Sequence, residues 1–250
     1  MLAQILSVAR ASREEAPVLI LAGGRGTRLG ALHPDCPKPL IPCAGRPFIE
    51  WVIDHFHGQG FSRFVVSLGH LAHVALEHFE KRPPDGCDIR CIVEPSPLGT
   101  GGAIRHAWRS LPGGPSLVVA NGDSLIDADL RPVQEMARAP GVDGVLLGAR
   151  VADAARFGTL RVGADRRLQG FLEKQPGSGV INAGIYLLGP RALAAFSEKT
   201  PLSVEKDVFP ELLARGFRLL VHATESPLLD IGTPESLSRA EAFLQAHFRR

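Results

Sequence analysis

The stretch from Leu19 to Pro42, LILAGGRGTRLGALHPDCPKPLIP, constrains this chain more than any other. Val18 to Ala22 is a short apolar run rich in branched residues, the pattern of a strand buried on both faces. It runs into Gly23, Gly24 and Gly26, where the backbone can turn sharply and approach a ligand with no Cβ in the way. Successive N–H groups in such a turn form a concavity for anions. Arg25, Arg28 and Lys38 bring positive charge to the same place. A strand, a glycine turn and basic side chains together predict a phosphate site.

The residues after the glycines narrow the choice. A dinucleotide-binding turn needs G-x-G-x-x-G leading straight into a helix. Here Leu29 stands after Gly24-Arg25-Gly26-Thr27-Arg28, so the third glycine is out of place. Pro34, Pro37, Pro39 and Pro42 forbid a long helix until about Gly45. No Gly-Lys-Ser/Thr of a Walker loop is present. A glycine-rich turn of purely structural use is the alternative at this point.

The run Gly23-Gly24-x-Gly26-Thr27-Arg28-Leu29, with Pro37-Lys38-Pro39 shortly after, resembles the signature loop of the sugar-1-phosphate nucleotidyltransferases. The resemblance implies that Leu21, Ala22, Gly23, Gly24, Gly26, Thr27 and Arg28 wrap a nucleoside triphosphate. It also implies that Arg28 contacts the phosphates and that Lys38 stabilises charge at the reacting centre.

The bulk properties agree with such an enzyme. With 250 residues, 45% hydrophobic and 22% charged, the chain has ample material for the core of one large soluble domain. A net charge of +2 is too small to argue for nucleic acid or an anionic membrane surface. No apolar run approaches the roughly 20 residues needed to span a bilayer. Cys36, Cys43, Cys87 and Cys91 lack the paired C-x-x-C spacing of a zinc site and are expected as reduced thiols in the cytoplasm. Leu2, Ile5, Leu6 and Ala9 fall at helical spacing with Arg10 and Arg13 after them, the reverse of a signal peptide's order, so residues 1–16 are expected to be an N-terminal extension.

Beyond the loop, strands and helices alternate. Phe48, Trp51, Val52, His55 and Phe56 mark an amphipathic helix closed by Gly58 and Gly60. Strands are expected at Phe64–Leu68, Ile89–Val93 and Leu117–Ala120, with helices at Leu71–Phe79 and Gly101–Leu111. This pattern predicts a parallel sheet covered on both faces, with ligands gathered at the carboxyl ends of its strands. The third strand runs into Glu94-Pro95-Ser96-Pro97-Leu98-Gly99-Thr100-Gly101-Gly102, where a helix N-terminus would add partial positive charge. The family resemblance places Glu94, Leu98, Gly99 and Thr100 beside the nucleotide, with Asn121 and Gly122 at the end of the fourth strand. Asp123 comes next and is a suitable oxygen ligand for Mg²⁺, which takes few ligands from protein and more from substrate phosphates. Asp127 and Asp129 read as turn and cap residues.

From Gly144 the strands crowd together. Thr159–Val162 and Leu168–Glu173 flank a hairpin-like turn at Gly163 to Arg166. Phe157-Gly158-Thr159, Phe171-x-Glu173-Lys174 and Ile181-Asn182-Ala183-Gly184, the last ahead of a strand over Ile185–Leu188, resemble the family's sugar-site elements. Gly158, Glu173, Lys174, Asn182, Ala183 and Gly184 are therefore the expected sugar-phosphate site. Glu173 and Asn182 suit hydroxyl groups, and Lys174 suits the phosphate. Val204 to Phe209 opens a helix running to about Ala214, and its acids read as helix-dipole residues. Asp230 matches the family's second metal aspartate, and Thr233-Pro234 starts a last helix. No hexapeptide repeats are present, so no appended acyltransferase domain is expected.

The resemblance covers about Val18 to Leu244 and implies a Rossmann-like, three-layer αβα (GT-A-like) α/β fold with a mixed central sheet. Residues 17–250 would form one domain, 17–143 carrying the nucleotide and 144–250 the sugar. The implied reaction joins an NTP to a sugar 1-phosphate, releasing pyrophosphate, with Mg²⁺ as cofactor on Asp123 and Asp230. Its partners are the two small-molecule substrates, and a homo-oligomer is compatible with the sequence. PSPLGTGGAI, FGTL, INAG and SVEKDVFP most resemble the D-glycero-D-manno-heptose 1-phosphate guanylyltransferases. Mannose-1-phosphate guanylyltransferases and the uridylyl- or thymidylyltransferases are near neighbours. Two readings from other classes stand beside this one. A dinucleotide-dependent oxidoreductase is opposed by the proline barrier, and a non-catalytic sugar-nucleotide sensor by the presence of Arg28, Lys38, Asp123 and Asp230.

Overall fold

Alternation along the first strand decides the layering. A computed structural model describes residues 16–24, 26, 33–155, 158–172 and 176–248. Strand β1 (Val18–Ala22) sends Val18, Ile20 and Ala22 into one core and Leu19 into another, because successive strand residues point to opposite faces. The other parallel strands repeat the division. Phe64, Val66, Leu68, Val118 and Ala120 join the first core, and Val65, Leu117 and Val119 the second. Buried on both sides, these strands have the continuous apolar character that their position demands.

Helices close each face. The first core is covered by α1 (Phe48–His57) and α2 (Ala72–Lys81), which bury Phe48, Ile53, Phe56 and Phe79. The second is covered by α3 (Gly99–Arg109), which buries Ile104 and Ala107. Further along the chain, α4 (Arg131–Ala137) adds Val133 to the first core, and α5 (Pro190–Ala194) and α6 (Phe209–Ala214) add Leu193 and Phe209 to the second. Helix α7 (Pro234–His247) returns to the first core through Ala240 and Leu244. Its start is a capping box between Thr233 and Ser236, with Pro234 in the first turn as expected. The result is the αβα sandwich that the sequence implies.

The remaining strands make the sheet mixed. β1 pairs in parallel with β4 (Arg63–Leu68) and β6 (Leu117–Asn121), and β4 with β5 (Asp88–Val93). On the far side of β6, β11 (Gly179–Leu188) runs antiparallel and in turn pairs with β8 (Gly144–Val151) and β9 (Thr159–Val162). β10 (Leu168–Leu172) hairpins onto β9, and β12 (Leu219–Thr224) pairs in parallel with β8. Among the described residues this is a nine-stranded sheet with a backbone order of β10-β9-β11-β6-β1-β4-β5. Two small antiparallel sheets complete it, the hairpin of β2 (Pro42–Cys43) with β3 (Arg46–Pro47) and the long-range pair of β7 (Ser124–Ile126) with β13 (Leu228–Asp230).

Three local expectations need correction. Asn182, Ala183 and Gly184 do not precede a strand. They lie inside β11, where the register with β8 shifts between Asn182 and Ile185 and Gly184 takes φ +73°. Such a bulge re-aims the side chains around it. Helix α3 begins at Gly99 rather than Gly101, since Gly99 with φ +73° supplies the turn out of the loop. The helix over Val204–Ala214 is two pieces, a π-helical turn at Val204–Val208 followed by α6. All four cysteines are free thiols. Among the described residues no helix is long and apolar enough to cross a membrane.

Candidate active site

The parallel strands β6, β1, β4 and β5 are neighbours, and the chain passes from β1 outward to β4 and β5 before returning to β6 on the other side of β1. The crevice beyond their carboxyl ends at such a reversal is where α/β sheets bind ligands. A cavity of about 590 Å³ lies there. Its walls come from the ends of the strands and the segments after them: Ala22 to Gly24 at the end of β1, Gly69 and His70 after β4, Glu94, Ser96 and Pro97 after β5, and Asn121 and Asp123 at the end of β6. Lys38, Gly99 and Thr100 close the remaining sides.

Most of the expected nucleotide residues are therefore brought together. Leu21, Ala22, Gly23, Gly24, Gly26, Glu94, Gly99, Thr100 and Asn121 all line the cavity. Leu98 is buried behind it, and Gly122 donates its N–H to the Leu21 carbonyl at 2.9 Å, joining the ends of β1 and β6. Thr27 and Arg28 lie outside the described residues. The glycines divide the work. A Cβ on Gly24 would meet nothing within 4 Å, which leaves that backbone open to a ligand. Gly23 is small for a different reason: a Cβ there would stand 2.1 Å from Glu94 Oε1.

Glu94 is the carboxylate this packing positions. Its Oε1 accepts from the Ser67 hydroxyl at 3.1 Å, and its Oε2 accepts from the Leu98 N–H at 3.3 Å. Burial holds its carboxyl above the usual carboxylate range, opposed by those two hydrogen bonds and by His106. A carboxylate has about four lone-pair positions, so both oxygens keep acceptor capacity after these contacts.

Also in the lining, Lys38 Nζ lies 2.6 Å from Asp123 Oδ2, and the two side chains are 14% and 36% exposed. Pro37 and Pro39 set the lysine on a short 3₁₀ turn, Lys38–Leu40. Asp230 stands in β13 directly opposite Ser124 of β7, one residue beyond Asp123, and the Ile231 N–H donates to the Asp123 carbonyl at 3.0 Å. The pairing of β7 with β13, distant in sequence, thus brings the two aspartates to neighbouring chain segments. Among the described residues no group of three or more His, Cys, Asp or Glu side chains gathers for a metal. Asp123 lines the cavity, whereas the Asp230 carboxylate accepts from the Gly232 N–H at 2.6 Å and is not among the lining residues. One such hard carboxylate suits Mg²⁺, which draws one or two from protein when substrate phosphates supply other ligands.

The amide donors at the start of α3 serve a different purpose from the one expected. Gly101 and Gly102 donate to the Leu202 carbonyl at 2.8 and 3.3 Å, so these N–H groups hold the segment before the π turn rather than facing the cavity. Of the expected sugar residues, Gly158, Asn182, Ala183 and Gly184 are described, and Glu173 and Lys174 lie outside the described residues. Gly158 accepts the Asn182 N–H at 3.1 Å, and a Cβ on Gly184 would stand 2.5 Å from Asn121 Nδ2. The bulge in β11 therefore abuts the cavity through Asn121. Gly69, His70 and Ser67 carry no motif that marks them in the sequence. The first two come directly after β4, so the rule that sites collect after parallel strands would have found them.

A family model described as nucleotidyl transferase matches residues 17–247. A mannose-1-phosphate guanylyltransferase of Mycobacterium tuberculosis is 33% identical over 229 residues, covering 90% of this chain and 64% of that protein's length. A D-glycero-alpha-D-manno-heptose 1-phosphate guanylyltransferase of Aneurinibacillus thermoaerophilus is 31% identical, covering 91% of this chain and 97% of its own. Among solved structures, HddC from Yersinia pseudotuberculosis superposes with a TM-score of 0.83 at 30% identity, covering 92% of this chain and all of its own. HddC has also been determined in complex with GMP-PN. The crevice at the strand reversal, its glycine loop and these matches along the chain lead to one assignment: the chain belongs to the nucleotidyl transferase family.

Proposed function

We propose that the protein transfers GMP from GTP to D-glycero-D-manno-heptose 1-phosphate, yielding GDP-heptose and pyrophosphate. The observation that carries this reading is the end-to-end match to a heptose 1-phosphate guanylyltransferase, 97% of whose length is covered. Mannose 1-phosphate is the second candidate, supported by the 33% identity to the mannose-1-phosphate guanylyltransferase, of which the chain spans 64%. Both readings share GTP, and the chemistry of Glu94 supports that choice. Guanine presents two adjacent donors, N1–H and the 2-amino group, to which a single carboxylate is a matched acceptor. Uracil and thymine offer one N–H between two carbonyls, and they gain less from such a partner.

On this reading residues 17–143 hold the nucleotide and 144–250 the sugar. An oxygen of the sugar phosphate attacks the α-phosphorus, the new P–O bond forming as the bond to pyrophosphate breaks in line. Such a reaction needs positioning and charge stabilisation rather than a protein nucleophile. Lys38 would leave Asp123 for the phosphate oxygens on which charge develops, and Arg28 would contact the same triphosphate. Asp123 and Asp230 would hold magnesium, which supplies charge neutralisation at the phosphates when bound. The test is pyrophosphate release from a panel of NTPs and sugar 1-phosphates.

A further inference from the structure

The acids of the Val204–Val208 turn read in sequence as helix-dipole residues, and the structure separates them. Asp207 is committed to its own segment: it accepts from the Ser203 N–H at 2.7 Å and from Lys199 Nζ at 2.6 Å. Glu205 reaches across to another strand instead. Its Oε1 accepts from Asn182 Nδ2 at 2.6 Å, and the residue is exposed.

Counting hydrogen bonds changes the role of Asn182. A side-chain amide has two N–H donors and one carbonyl acceptor. Here Nδ2 donates to the Tyr186 hydroxyl at 2.7 Å and to Glu205, while Oδ1 accepts from the Gly184 N–H at 3.0 Å. Tyr186 is 1% exposed, so that anchor is fixed in the core. Both donors of Asn182 are spent and its Oδ1 keeps one lone pair, so the amide cannot donate to a sugar oxygen, and the strong acceptor beside it is the exposed Glu205 carboxylate that Nδ2 holds.

Its position suits that task. The Val204 N–H donates to Thr100 Oγ1 at 2.9 Å, and Thr100 lines the nucleotide cavity. Arg105 donates to the Ser197 and Lys199 carbonyls and to Thr200 Oγ1, tying the approach to the turn onto α3. On the other side Gly184 abuts Asn121, also a cavity residue. Glu205 thus sits on a braced π turn beside the β11 bulge, and π-helical turns recur at functional sites.

We infer that Glu205 accepts a hydroxyl of the sugar and sets sugar affinity, with Asn182 as the positioning residue that aims its carboxylate. This rests on the guanylyltransferase reading above and adds to it a residue assigned by the hydrogen-bond count.

The test is steady-state pyrophosphate release by the full chain with GTP and either heptose 1-phosphate or mannose 1-phosphate. Glu205→Ala should raise KM for the sugar phosphate about 10- to 100-fold, the range for a lost hydrogen bond to a charged group, while KM for GTP stays within about twofold. Asn182→Ala should give part of the same sugar KM defect, and adding it to Glu205→Ala should cost little more, because the two act through one contact. Glu205→Gln, which keeps an acceptor but not the charge, should fall between wild type and Glu205→Ala. Calorimetry separates folding from recognition: GDP should bind wild type and Glu205→Ala alike, and GDP-mannose should bind the variant more weakly. An unchanged sugar KM, or equal losses for GDP and GDP-mannose, would overturn the role of Glu205 alone. Failure of the wild type to bind GDP or use GTP would overturn the guanylyl reading and this inference with it.

Discussion

Lys38 and Asp123 form an ion pair, with Nζ 2.6 Å from Oδ2, in the lining of the cavity at the β1/β6 reversal. They are 85 positions apart in sequence and come from different elements. The pair places the main basic and acidic candidates of the described residues on one wall, where a triphosphate would compete for the lysine and a cation for the aspartate. A partly exposed pair of this kind contributes little to folding, so substitutions there should report on activity.

Asp123→Asn should therefore keep the fold and lose most turnover. The amide is nearly isosteric but cannot supply the charge. Removing one charge-stabilising contact at a reacting centre costs ~10²–10³ in rate. Circular dichroism and kcat at saturating magnesium check this together, and a folded variant with near-normal kcat would place the metal elsewhere.

Lys38→Ala should lower kcat/KM by a similar order and shift Tm little, since its side chain packs beside the loop rather than in either core. A large fall in Tm with activity retained would make the lysine a structural residue.

Glu94 makes the base choice measurable. ITP lacks the 2-amino group, so GTP should be preferred over ITP by about 10-fold or more through one lost bond to a charged acceptor, and Glu94→Gln should reduce that preference. The pH dependence comes from burial, which raises this carboxyl. Protonation replaces an acceptor with a donor, so KM for GTP should rise as pH falls through the raised value. Glu94→Gln should flatten that limb of the profile. Equal use of GTP and ITP by the wild type would remove Glu94 from base reading.

Two glycines should behave oppositely. At Gly23 the added methyl meets the end of the Glu94 side chain, which can swing away, so Gly23→Ala should raise KM for GTP with modest loss of Tm. At Gly99 the backbone has φ +73° and a Cβ would lie 2.5 Å from the Leu202 carbonyl, which cannot swing away. Gly99→Ala should cost about 1–3 kcal/mol of stability or more, measured by denaturant unfolding.

These residues also mark what is legible in the sequence. β1 is readable at its observed bounds because a five-residue apolar run ending in glycines is the pattern of a short buried strand. Asp123 and Glu94 are readable because sites come after parallel strands. The Ser67–Glu94 contact spans 27 positions and the Asn182–Glu205 contact 23, and neither leaves a periodic trace. Helix-dipole logic explains the acids at 205 and 207 equally well, and only the β11 bulge, which aims Asn182 at one of them, tells them apart. The bulge itself reads in sequence only as a segment ahead of a shorter strand over Ile185–Leu188, whereas β11 runs through it from Gly179.

The guanylyl transfer to a heptose phosphate is tested most directly by kcat/KM for pyrophosphate release, with GTP, UTP and dTTP each offered heptose, mannose and glucose 1-phosphates. GTP should be the nucleotide used, and the manno-configured heptose 1-phosphate should rank above mannose 1-phosphate. The margin could reach ~10⁴ if a polar group of the site bonds the extra hydroxyl. A preference for glucose 1-phosphate with UTP or dTTP would contradict the guanylyltransferase reading, and equal use of heptose and mannose 1-phosphates would contradict the heptose assignment.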